Sequence, residues 1–75
     1  MMSRGVDVND EVYANGHTGR FVVTELIGAT AVLQLFGDDI NNGNRVYFEQ
    51  TIKVPVGALT VIGKNHTKPK LYTVV

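Results

Sequence analysis

Residues 18 to 36 read TGRFVVTELIGATAVLQLF, and within them two β-rich apolar runs, Phe21 to Ile27 and Ala31 to Phe36, flank Gly28. Neither run has the length or the i, i+3, i+4 spacing of an amphipathic helix, so both are predicted as strands turning at Gly28-Ala29-Thr30. They make the central hairpin of a small all-β domain. In the first run Phe21, Val23, Glu25 and Ile27 share one side while Val22, Thr24 and Leu26 share the other, which leaves neither side cleanly apolar. A bulge near Thr24-Glu25 resolves this by sending Phe21 and Val23 to the core and returning Leu26 to it after the slip.

Upstream of the hairpin, Asn9-Asp10 interrupts an alternating stretch as a turn does, leaving Glu11 to Ala14 as a short strand. Asn15-Gly16 and Gly19 then bracket His17-Thr18 in a tight loop. Downstream, Gly37 to Asn44 is the exposed tip of a second hairpin, with Asn42-Gly43 suited to a type I′ turn. Arg45 to Val54 extends with Val46, Phe48, Ile52 and Val54 inward, and with Arg45, Tyr47, Glu49, Thr51 and Lys53 outward. Pro55 lacks an amide hydrogen and ends the ladder, residues 55 to 59 make one 3₁₀ turn, and Thr60 to Ile62 is the closing strand. The expected organisation is a disordered start at 1–4, a folded unit at 5–63, a polar linker at 64–70 and a strand-like tail at 71–75.

With 75 residues there is room for one domain and one modest core, so a partner subunit is an expected source of extra stability. Cysteine is absent, which removes disulfides, thiolate nucleophiles and sulfur-ligated zinc. Seven basic and seven acidic residues cancel, so no overall field draws the chain to phosphate backbones or anionic lipid. No secretory signal or membrane-spanning run is apparent, and the expected location is the cytoplasm.

The succession of strand, glycine loop, long bent strand, hairpin, polar tip, strand, 3₁₀ turn and closing strand resembles an SH3-like barrel. Gly16-His17-Thr18-Gly19-Arg20-Phe21 is similar to the opening of KOW-type barrels, and Lys53 to Thr60 is similar to their strand, turn and closing strand. The resemblance covers roughly residues 5 to 63 and implies a five-stranded barrel with a short 3₁₀ turn before its last strand and an extra C-terminal strand. Plasmid-type (type II) dihydrofolate reductase shares this layout, with a glutamine-isoleucine-tyrosine triplet before a proline lining a pore common to four subunits. Here Ile52, Lys53 and Val54 precede Pro55, so the resemblance extends to fold and self-association and not to that activity.

Candidate chemistry is sparse. His17 and His66 lie far apart in sequence, with no serine, cysteine or carboxylate at the spacing of a triad or metal site, and Ser3 falls in the expected disordered start. Asp39 starts a calcium-loop template that fails at Gly43 and Gln50. Glu11, Glu25 and Glu49 are scattered, each with an ordinary surface explanation. Asn65-His66-Thr67 fits the glycosylation triplet, but without a signal peptide it is read as a chance match. No catalytic residue, metal or cofactor is expected.

A binding face is the better prospect: Tyr13, Phe36 and Tyr47 flanked by Arg20, Arg45 and Lys53, with His17 in the glycine loop. As in KOW and Tudor barrels, such a face stacks on bases or encloses a methylated cation. The absence of a basic run ranks nucleic acid below a protein partner. The tail Leu71, Tyr72, Thr73, Val74 and Val75 is an apolar strand that must cover an edge of its own sheet or add to a neighbouring chain. The preferred expectation is a non-enzymatic, self-associating interaction module. The alternatives are an RNA- or ribosome-associated KOW-type barrel and a symmetric pore holding a small molecule other than folate.

Overall fold

The computed structural model describes residues 5–75, so the start at 1–4, including Ser3, lies outside the described residues. The chain is all-β, with β1 (Glu11–Ala14), β2 (Arg20–Ile27), β3 (Thr30–Asp39), β4 (Asn44–Pro55), a 3₁₀ turn (Val56–Ala58), β5 (Leu59–Gly63) and β6 (Thr73–Val74). These strands form one sheet in the order β5-β1-β2-β3-β4-β6. Neighbours are antiparallel except β6, which runs parallel to β4.

The central hairpin turns through Gly28-Ala29, where Gly28 takes a φ of 58° that a side chain would oppose. Its bulge falls at Thr24: Val23 pairs with Leu33 and Glu25 with Val32, so Thr24 has no residue opposite. The Thr24 hydroxyl donates to the Val32 carbonyl at 3.1 Å. The slip carries Phe21 and Val23 into a core with Val6, Val12, Ala14, Ala31, Leu33 and Val54, and Leu26 packs against it. Val46 and Phe48, expected inward, are half-buried and stand outside this core.

Val22 faces the other way and is also buried, which explains why the run looked apolar on both sides. With Phe36 and Tyr47 it forms a second, smaller cluster. Tyr47, expected outward on β4, is indeed off the main core but has no exposed surface. The cover is the stretch 64–70 expected as a linker. It crosses the outer face as a strap, pinned where the His66 amide donates to the Asn9 carbonyl at 2.6 Å, and His66 itself is buried. The strap leads into β6, where the Val75 amide donates to the Tyr47 carbonyl and the Glu49 amide to that of Val75. The tail therefore pairs with its own chain.

The second hairpin differs from expectation. Its tip is the four-residue stretch 40–43, closed by a Gly43 amide bond to the Asp39 carbonyl at 2.7 Å, and not a two-residue Asn42-Gly43 turn. Asp39 decides this because its carboxylate also accepts from the Asn41 amide at 3.0 Å and the Asn42 side-chain amide at 2.7 Å. Between Gln34↔Thr51 and Phe36↔Tyr47, residues Phe48, Glu49 and Gln50 lie opposite Leu35 alone. The Gln34 side-chain amide fills this gap by donating to the Phe48 carbonyl at 2.9 Å.

At Gly19 the backbone conformation opposes any side chain, and an added Cβ would also push the tip of Leu35 aside. The Gly19 φ is 114°, and a Cβ there meets Leu35 Cδ1 at 2.8 Å. Gly19→Ala is expected to cost about 1–3 kcal/mol, read as a lower urea midpoint at unchanged slope. A wild-type midpoint would show that the loop relaxes freely.

Candidate functional site

A row of paired residues, Arg20, Phe36 and Tyr47, crosses β2, β3 and β4 on the outer face. The strap lays His66, Lys68 and Tyr72 against it. The Phe36 ring has the Arg20 guanidinium 4.9 Å and the Arg45 guanidinium 5.5 Å from its centroid, with the His66 ring at 4.9 Å. Tyr47 meets Tyr72 edge-on at 4.8 Å and His66 at 5.8 Å. The Lys68 ammonium lies 5.2 Å from the Tyr47 centroid and 5.6 Å from that of Tyr72, and it donates to the Gln34 side-chain oxygen.

His66 is the hub. Its Nδ1 stands 2.8 Å from Glu11 Oε2, and its Nε2 stands 2.7 Å from the Tyr47 hydroxyl. Nδ1 thus faces both an acceptor, Glu11, and a donor, Arg45, while the Tyr47 hydroxyl can either donate to or accept from Nε2. Arg45 NH1 sits 2.8 Å from Nδ1 and 3.4 Å from Glu11 Oε2, and its charge pairs with that carboxylate. Glu11 thus has a specific inward role in place of the surface role expected for it.

At the root of the strap, Lys64 donates to Asp10 at 2.7 Å and to Asp7 at 3.0 Å. Asp10 is 1% exposed and also accepts from the Asp7 amide at 2.8 Å. Hydrogen bonds to Asp10 and then Asp7 raise the Lys64 pKa above its ordinary 10.5. A raised value means that this contribution to stability is complete below 10.5 and is lost as pH climbs through the higher folded-state value. As pH rises above 10.5 the wild type is expected to lose more stability than Lys64→Met, which isolates this group from others titrating there. Parallel curves for the two proteins would refute the linkage.

The residues proposed from sequence as one face divide. Arg20, Phe36, Arg45 and Tyr47 come together, but Phe36 and Tyr47 are buried and cannot stack on a ligand. Arg20 is held by Asp38 at 2.6 Å. Tyr13 is 49% exposed and stands apart, beside Asn15 and Leu59 in a cleft of about 360 Å³. His17 packs edge-on to Phe21 at 6.3 Å, and Lys53 is exposed on β4 opposite Val32. Asp10, Lys64 and Lys68 escaped the sequence reading, which set Glu11 and His66 aside and gave Tyr72 only a role in the tail contact. The available signal was the spacing Lys64-x-His66-x-Lys68, three polar side chains two residues apart in a stretch that bends at Lys64-Asn65.

The Tyr47–His66–Glu11 chain has the order of a nucleophile, base and orienting carboxylate, but the Tyr47 hydroxyl is enclosed and no substrate atom reaches it. Its work is to hold the strap. Among the described residues no group of three His, Asp or Glu side chains is placed to hold a metal ion. Compared with family models, curated proteins and solved structures, the chain matches none.

Proposed function

We propose that the protein is a non-enzymatic interaction module that associates with a second copy of itself through the outward side of its C-terminal segment. The observation that carries this is the segment's inverted polarity. Lys64, His66 and Lys68 face the sheet, whereas Leu71 is 93%, Val74 45% and Val75 63% exposed. The backbone adds to it, since Val75 turns both its amide and its carbonyl to β4 and the alternation of a strand aims those of Val74 away from the sheet. An edge strand with open backbone groups and apolar side chains invites pairing, and a formal net charge of zero leaves no repulsion between copies. The element order supports an SH3-like barrel as the scaffold.

The RNA-associated alternative is less well supported. Arg20, Arg45 and Lys64 are each engaged by carboxylates of the same chain, and Lys68 is held between tyrosine rings. Phosphate binding needs cations free to exchange their counterions.

Light scattering across a concentration series tests the proposal. The wild type is expected to run as a dimer or larger assembly, and Leu71→Glu to shift it to monomer with little change in melting temperature. A wild type that stays monomeric at the highest concentration would sink the idea.

A further inference from the structure

Resting on that reading of the tail, we infer that self-association is controlled at a distance by the polar latch at Lys64, His66 and Lys68. The surface offered to a second copy exists only while these three side chains keep the strap on the sheet.

Three features carry this. First, the anchors are spaced two residues apart, with a bend at Lys64-Asn65 where Asn65 takes a φ of 59°, and they reach in turn Asp7 and Asp10 before β1, then Glu11 on β1 and Tyr47 on β4, then Gln34 on β3. Second, the paired stretch that follows is short: β6 has two residues, too few for a ladder to hold without support from the strap. Third, of the tail's apolar side chains Tyr72 meets Tyr47 edge-on at 4.8 Å, whereas Leu71, Val74 and Val75 are exposed and add little of their own to docking. The strap is therefore fixed by polar contacts at its root and middle and by the Tyr72 ring on Tyr47, while Leu71, Val74 and Val75 are presented outward. Opening the latch removes the edge at Val74 and scatters Leu71, Tyr72 and Val75, although no latch residue belongs to the proposed contact.

The Lys64 ammonium is half-exposed and can return to water, which makes this end of the latch reversible. Asp10 retains the Asp7 amide when Lys64 lets go, so the main core is not left with a bare buried carboxylate.

The test compares Lys64→Met and Lys68→Met with Lys70→Met, an exposed strap position, in the full chain. Dimer dissociation is measured by sedimentation, and strap docking by amide exchange at Val75 and Glu49. Lys64→Met and Lys68→Met are each expected to speed exchange at both amides and to weaken the dimer by roughly threefold to tenfold, the span of a partly exposed charge-assisted pair. Lys70→Met should change neither. Faster exchange with unchanged dimerisation would overturn the control by the latch while leaving the tail contact standing. Unchanged exchange in both variants would overturn the latch itself. A wild type that never dimerises removes the underlying reading instead.

Discussion

Tyr47→Ala is expected to remove a large share of the folding free energy, about 3–5 kcal/mol. At about 0.05–0.15 kcal/mol per residue, a domain of this length has roughly 4–11 kcal/mol of stability. Emptying a fully buried aromatic site costs about 3–5 kcal/mol. Tyr47 is the largest of the fully buried side chains and touches Phe36, His66, Lys68 and Tyr72. Its loss removes the floor beneath the strap and the partner of the His66 ring together. Tyr47→Phe keeps the ring and is expected to cost only about 1–3 kcal/mol, since it removes the buried hydrogen bond between the hydroxyl and His66 Nε2. Urea denaturation separates the two, and an alanine variant as stable as wild type would mean that the outer cluster contributes little to folding.

His66→Ala is expected to cost about 2–4 kcal/mol and to act first on the strap. The buried imidazole fills the space over Phe36 at 4.9 Å and links Glu11 to Tyr47, so its removal strands a buried hydroxyl and leaves Glu11 with Arg45 alone. A double-mutant cycle with Tyr47→Phe should give a coupling of about 1–3 kcal/mol, because the buried hydroxyl bonds Nε2 at 2.7 Å, closer than the 3.3 Å approach of Arg45. Additive effects would deny the hydrogen bond its role. Amide exchange supplies a second readout. Protection at Val75 and Glu49 should fall before that of the β2–β3 hairpin does.

Much of the main core was legible because it obeys hydrophobic periodicity. The turn at Asn9-Asp10, the limits of β1, the bulge at Thr24 and the 3₁₀ turn after Pro55 all follow from local chemistry and parity. Parity even placed Tyr47 on the correct side of β4. What it could not supply was the cover, because the strap docks through Lys64, His66 and Lys68, whose placement reflects complementary charges and acceptors elsewhere in the chain. A segment of Lys, Asn, His, Thr and Pro carries the composition of a solvated linker, and only the positions of Asp10, Glu11, Gln34 and Tyr47 in space turn it into a clasp. The candidate face failed for the same reason. Its four central members do meet, yet they meet as the bed of the strap.

The transverse path of the strap also sets an order of events during synthesis. Its contacts join residue 64 to residues 7 and 10, and residue 66 to residue 11, so their loops close only after every strand from β1 to β5 has emerged. Until then a nascent chain carries Val22, Phe36 and Tyr47 bare on one side of an otherwise formed sheet. That interval is when the polypeptide is most vulnerable to sticking to its neighbours on a polysome, and the swiftness with which the clasp shuts governs the yield of native molecules.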